Sequence, residues 1–231
     1  MAREAHSLGS TTGAVTGSMR DIMTSFDDRA KDWDADQTKV DRANAIGDAI
    51  IDNVPLHSTM RVLEYGCGTG ILGFRLRPHI GDLTLADASD GMLQVVREKL
   101  AAKPDARARP MKLDLILDPL PERRFDLICS AMTLHHIPDT DDVLRKFASI
   151  LAPSGYLAIA DLDTEDGSFH GPHEDVHHGF DREALGEKAG HAGLRVVRFD
   201  TAYTMQKPSM GVMRTYPIFL MVAQKPPQSA R

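Results

Sequence analysis

Three glycines at alternate positions, Gly66, Gly68 and Gly70, stand just after an acid in the run Arg61-Val62-Leu63-Glu64-Tyr65-Gly66-Cys67-Gly68-Thr69-Gly70. The residues before them read as the apolar half of a strand, and Ile71-Leu72-Gly73-Phe74 reads as the start of a helix, so the glycines fall in a strand-to-helix turn. In open α/β sheets, ligands bind at the carboxyl ends of the strands, where such turns lie. Glycine opens φ values closed to other residues and removes the β-carbons that keep a ligand off the main chain. The spacing is Glu-x-Gly-x-Gly-x-Gly and not the G-x-G-x-x-G that seats a pyrophosphate on a helix N-terminus. A carboxylate two residues before the first glycine repels phosphate and suits a ligand that carries an ammonium group.

A second acid arrives 23 residues after Glu64: Asp87, at the end of Leu83-Thr84-Leu85-Ala86. An acid about 20 residues beyond a glycine turn accepts hydrogen bonds from ribose hydroxyls. The competing reading of Asp87 as part of a helix cap is weaker, because Ser89 or Asp90 can cap the following Leu93, Val96, Leu100 stripe unaided. Glu64 to Gly70, with Asp87 on schedule, resembles the class I S-adenosylmethionine-dependent methyltransferases, in their small-molecule branch. The resemblance implies that Glu64 binds or orients the methionine end of the cofactor, that Gly66, Gly68 and Gly70 shape the turn, and that Asp87 holds the ribose. It implies that Asp114, with Leu115, borders the adenine, and it places Tyr65, Cys67, Ala88, Met92, Ser130 and Trp33 along the same ligand. A nicotinamide-dependent oxidoreductase and a non-catalytic cofactor-binding regulatory protein remain as alternatives; the glycine spacing disfavours the first.

Methyl transfer to a protonated oxygen, nitrogen or sulfur needs a base. Six of the ten histidines fall between positions 135 and 178, in Ala131-Met132-Thr133-Leu134-His135-His136-Ile137-Pro138 and in the loop after Asp161-Leu162-Asp163. His170 and His178, on the loop expected to overhang the acceptor, are candidate bases, as are His135 and His136. The His-His-Ile-Pro run resembles a stretch found in family members with different substrates, where a histidine often bonds locally. A metal set drawn from Glu165, His170, His173, Glu174, His177 and His178 would need His173/His177 and His170/Glu174 on one helical face. Gly167, Gly171 and Pro172 break such a helix, so no metal is expected. The Pro-Pro-Tyr/Phe turn of nucleobase and amide methyltransferases is replaced by Ser130-Ala131-Met132-Thr133, which favours a small-molecule acceptor. Met132, Met205, Met210 and Met213 are candidates to line its pocket.

The elements that must position these residues alternate regularly. Strands are expected at about 60–66, 82–87, 108–113, 125–131 and 156–162, and helices at about 70–77, 90–102, 140–151 and 181–192. That alternation means a parallel sheet with right-handed crossovers. Leu194–Tyr203 and Thr215–Val222 read as two last strands joined by a loop over Met205–Arg214, hence antiparallel. The expected fold is a Rossmann-like α/β three-layer sandwich, a mostly parallel seven-stranded sheet with an antiparallel C-terminal hairpin. It covers about 36–225, after a flexible leader at 1–20 and a lid-forming segment at 21–35 that carries the only tryptophan; 226–231 is a tail. A formal charge of −6 without a basic stripe argues against nucleic acid, and no apolar run is long enough to insert in a bilayer. Met1–Ser18 has no apolar core for secretion, and Cys67 and Cys129 read as two reduced side chains, so the cytoplasm is expected. No motif speaks to the oligomeric state.

Overall fold

The computed structural model describes residues 26–170, 175–209 and 211–228. The expected leader at 1–20, the first part of the lid segment and the end of the tail lie outside them.

Seven strands form one sheet: β1 (Arg61–Tyr65), β2 (Asp82–Asp87), β3 (Ala108–Lys112), β4 (Phe125–Ala131), β5 (Leu151–Leu162), β6 (Arg195–Ser209) and β7 (Val212–Gln224). Their order is β3-β2-β1-β4-β5-β7-β6. The first five pair in parallel, and β7 runs antiparallel to both β5 and β6. The helices are α1 (Gln37–Asn53), α2 (Ile71–Leu76), α3 (Asp90–Ala102), α4 (Thr140–Ile150) and α5 (Arg182–His191).

The alternation of side chains along each strand divides the core in two. Val62, Leu83, Leu85, Leu127 and Cys129 pack with Ile46 and Ile50 of α1, Leu72 and Leu76 of α2, and Leu93 and Val96 of α3. Their neighbours Leu63, Ile128, Ile159, Phe219 and Met221 face the other way, onto Leu144, Phe147 and Ile150 of α4 and Leu185 and Ala189 of α5. A strand buried on both faces must be apolar at every position, and this is why the central strands read as continuous hydrophobic runs. Helix starts are set by short polar side chains: Asp36 accepts from Thr38 N at 3.0 Å, Ser89 from Met92 N at 3.1 Å and Asp181 from Ala184 N at 2.9 Å.

Two boundaries differ from expectation. β5 begins at Leu151, directly after α4, and passes through Ser154 at φ +62° before the expected stretch. The last two strands are not joined by a loop over Met205–Arg214; pairing continues through Met205↔Tyr216 and Lys207↔Arg214 to Ser209↔Val212, and Gly211 turns at φ +78°. Lys207-Pro208-Ser209 reads as a loop in sequence, yet β6 is the sheet edge, where a proline has no ladder bond to lose. The longer β6 reaches back over the carboxyl ends of the parallel strands and brings Met205 to Pro208 to the cavity there.

β1 is the switch point. Strand order runs outward from it in both directions, to β2 and to β4, which leaves a crevice above its carboxyl end.

Candidate active site

A cavity of about 550 Å³ fills that crevice, within the range of a small-molecule site. Its floor is the turn after β1, whose three glycines all have positive φ: +68° at Gly66, +52° at Gly68 and +82° at Gly70. Their reasons differ. A β-carbon on Gly66 would lie 2.3 Å from Thr133 Oγ1, so the turn after β4 can press against it only because it has none. At Gly68 the same space is open, bounded by Met92 Sδ at 3.9 Å and Trp33 Nε1 at 4.0 Å. Gly68 is therefore the point where a ligand can approach the backbone.

Three acids line the cavity from three neighbouring strand ends: Glu64 from β1, Asp87 as the last residue of β2 and Asp114 after β3. Glu64 is 3% exposed and accepts from Gly73 N at 2.8 Å; burial pushes its carboxyl up to about 8, although the Gly73 N–H opposes the shift. Asp87 accepts from Gly68 N at 2.7 Å and Ser89 N at 2.8 Å, and burial raises its pKa despite these bonds. It thus braces the glycine turn against the start of α3. Asp114 Oδ1 accepts from Ile116 N at 2.8 Å.

The roof comes from the segment before α1. A helical turn at 26–29 runs into a 3-10 helix, Ala30–Ala35. Phe26, Arg29 and Trp33 of this segment line the cavity, and the Phe26 ring meets Trp33 edge-on at 6.0 Å and His136 at 5.5 Å. Two carboxylates latch it down. Asp27 accepts from Ser89 Oγ and from Gly91 N at 2.8 Å, while Asp34 accepts from Thr69 Oγ1 and pairs with Lys99 Nζ at 2.6 Å.

The far wall holds the histidines. His135 is 2% exposed, its Nδ1 is 2.6 Å from Asp161 Oδ1, and Asp161 lies out of water altogether at the end of β5. Burial pushes the Asp161 pKa up, but the charge and hydrogen bond of His135 and the N–H groups of Leu162 and His135 outweigh it and leave the pKa lowered. The His136 ring lies 4.1 Å from that of His135, tilted by 43°; burial and the two neighbouring imidazoles bring its pKa down to about 3. Its Nδ1 is buried with no hydrogen-bond partner among the described residues. His170 closes the group, and one ring nitrogen from each of His135, His136 and His170 lies within 4.8 Å of the others. Beside them Met132 takes a left-handed φ of +54°, as residues at functional turns often do.

Of the residues expected at the site, the structure brings Trp33, Glu64, Tyr65, Gly66, Cys67, Gly68, Asp87, Ala88, Met92, Asp114, His135, His136 and His170 to the cavity wall. Gly70, Leu115, Ser130 and His178 are not on it. Gly70 serves as the N-cap of α2. Leu115 packs in the second core and gives its N–H to Tyr65 Oη at 3.2 Å, so Ile116 takes its place on the wall. Ser130 is buried within β4, and His178 is exposed, its ring against Gly167. Of the metal set, His177 Nε2 donates to the Ile137 carbonyl at 2.9 Å and Glu165 accepts from Phe169 N, while His173 and Glu174 lie outside the described residues. Met132 and Met205 line the cavity, Met213 is 59% exposed, and Met210 is outside the described residues. Sequence reasoning missed Asp27, Asp34 and Arg42, whose contacts span distant segments; Asp161 had a readable signal, as an acid ending an apolar strand.

The sequence model of the methyltransferase-domain family matches residues 38–199, spanning β1 to β5 and all five helices. This chain belongs to that family. The methyltransferase domain is 31% identical over 128 residues to an uncharacterised methyltransferase of Schizosaccharomyces pombe, covering 52% of this chain and 45% of that one. It is also 31% identical over 134 residues to the 27-O-demethylrifamycin SV methyltransferase of Amycolatopsis mediterranei, covering 56% and 49%. The match thus spans about half the length of each of these relatives. Among solved structures, the fold is shared with phosphoethanolamine N-methyltransferase 2 of Haemonchus contortus in complex with S-adenosyl-L-methionine, at a TM-score of 0.65 and 18% identity over 87% of this chain and 60% of that one. The cofactor implied by the class I methyltransferase fold fits the residues present: Gly68 leaves open space at the floor, and the three acids supply acceptors around it.

Proposed function

We propose that this chain transfers a methyl group from S-adenosylmethionine to an oxygen, nitrogen or sulfur atom of a small molecule. The observation that carries the reading is the convergence of Glu64, Asp87 and Asp114, from three adjacent strand ends, on one cavity floored by Gly68. Glu64 faces the positively charged methionine end, where its carboxylate form is favoured; Asp87 takes the ribose hydroxyls and Asp114 the adenine edge. Phe26 and Trp33 close the pocket and exclude water. When bound, S-adenosylmethionine supplies an electrophilic methyl group on a sulfonium. His135 accepts the proton of the acceptor at Nε2, because the bond from Nδ1 to Asp161 fixes the tautomer that leaves Nε2 free. His136, with a pKa near 3, is a poor base at neutral pH. An A. mediterranei relative named for an O-demethylated rifamycin and a structural neighbour named for phosphoethanolamine support a small-molecule acceptor.

Calorimetric titration with S-adenosylmethionine, S-adenosylhomocysteine and NADH tests the reading. Micromolar binding of the first two without the third is the expected result; binding of NADH alone would overturn it.

A further inference from the structure

Arg42 stands on α1, lines the cavity and is half-buried. Its guanidinium donates to the thioether of Met205 at 3.9 Å, and no ion pair holds it among the described residues. The two carboxylates that act on it from further away are engaged elsewhere: Asp161 by His135, and Asp36 by the start of α1 and by Lys39 at 3.4 Å. A guanidinium carries five N–H donors, and a thioether is a weak acceptor, so a partly desolvated arginine in this state is short of partners. Burial accordingly lowers its pKa.

Its position says which ligand would supply them. Met205 lies on β6, at the opposite edge of the sheet from the β2 and β3 strand ends that carry Asp87 and Asp114. Lys207, two residues along β6, lines the cavity as well, its Nζ held by the Phe169 carbonyl. Glu64, Asp87 and Asp114 thus gather at the β1–β3 strand ends, while Arg42 faces the β6 side of the cavity.

We propose that Arg42 anchors an anionic group, a carboxylate or a phosphate, on the methyl acceptor. The proposal rests on the methyltransferase reading, since it takes the β1–β3 half as the cofactor's. The planar fork of arginine matches either anion with two parallel hydrogen bonds. A carboxylate also ends the amino-acid part of the cofactor, so the test must separate the two sources.

Benzoate, benzamide and phenyl phosphate are titrated into wild type, Arg42→Gln and Arg42→Lys, each with and without S-adenosylhomocysteine; S-adenosylhomocysteine and 5′-methylthioadenosine are titrated alone. Thermal melts establish that both variants are folded. Expected is tighter binding of benzoate and phenyl phosphate than of benzamide by wild type. Arg42→Gln should lose about tenfold or more of the anion affinity, Arg42→Lys should keep part of it, and S-adenosylhomocysteine should change by less than about twofold. Equal binding of benzoate and benzamide by wild type would overturn the proposal, as would an acid preference that survives in Arg42→Gln. A loss confined to S-adenosylhomocysteine, with 5′-methylthioadenosine unchanged, would also overturn it by assigning the cation to the cofactor. If wild type does not bind S-adenosylhomocysteine, the methyltransferase reading fails by itself, and the titrations of the unloaded protein still decide the role of Arg42.

Discussion

Asp161 Oδ1 lies 2.6 Å from His135 Nδ1, with neither side chain more than 2% exposed, and the carboxylate also receives the His135 backbone N–H at 3.3 Å. One buried acid therefore sets both the position and the tautomer of the imidazole. Asp161→Asn keeps the volume but no longer enforces that tautomer, and methyl transfer to an acceptor that wild type turns over should fall by about a hundredfold or more, with S-adenosylhomocysteine affinity unchanged. Asp161→Ala should cost about 3 kcal/mol in urea unfolding, because it strips a buried partner. The folded-state pKa of Asp161 is depressed, so its contribution to stability is present above the unfolded value near 4 and is lost as pH falls through the folded one. A wild type no more acid-sensitive than Asp161→Asn would contradict this.

Glu64 behaves in the opposite sense. Its folded pKa of about 8 lies above the ordinary 4.5, so the unliganded protein holds a proton there that the unfolded chain has released. The stability this gives is complete below about 4.5 and declines as pH rises through 8. Glu64→Gln should flatten that decline in thermal melts between pH 5 and 9. A cation bound beside Glu64 favours the carboxylate, so binding of S-adenosylmethionine to wild type near neutral pH should release a proton. Titrations in buffers of different ionisation enthalpy read this directly, and heats independent of buffer would count against it.

These two carboxyl groups also show what the sequence could and could not disclose. Glu64, Asp87 and Asp114 were legible because each stands at or just past the carboxyl end of a strand at a spacing imposed by the β-turn-α repeat, and parallel pairing then brings them side by side. His178 misled because its loop doubles back: Glu165 N donates to the His178 carbonyl, and Phe180 N returns to Leu162 O, which leave the ring outside. The extent of β6 was hidden since Lys207-Pro208-Ser209 has loop composition and only the edge position in the sheet makes it a strand. Arg42 gave no signal, as a cation on an amphipathic helix is ordinarily solvated.

Asp87 offers the sharpest test of the cofactor assignment. Asp87→Ala should lower affinity for S-adenosylhomocysteine by about tenfold or more, through lost ribose contacts and a loosened glycine turn. Asp87 already receives Gly68 N and Ser89 N, so Asp87→Asn separates the effects: its side-chain oxygen can still brace one of these N–H groups while offering weaker acceptors to the ribose. Affinity within about twofold of wild type in both variants would refute the ribose role.

The roof makes the last prediction. Asp34 joins the segment before α1 to Thr69 of the glycine turn and to Lys99 of α3, and Asp27 joins it to Ser89 and Gly91 at the start of α3. Both latches hold parts of the cofactor wall, so the segment can open only by releasing the side chains that frame the pocket. The Asp34–Lys99 pair is about one-third exposed on each side, which limits its worth to about 1 kcal/mol or less of global stability. Closure should feel it more strongly: Asp34→Ala should raise the dissociation rate of S-adenosylhomocysteine several-fold in stopped-flow measurements that follow Trp33 fluorescence, while Tm moves by only a few degrees. The association rate should change little, because the open state is the one that admits ligand. An Asp34→Ala protein that released S-adenosylhomocysteine as slowly as wild type would mean that Phe26 and Trp33 pack over the cavity without gating it.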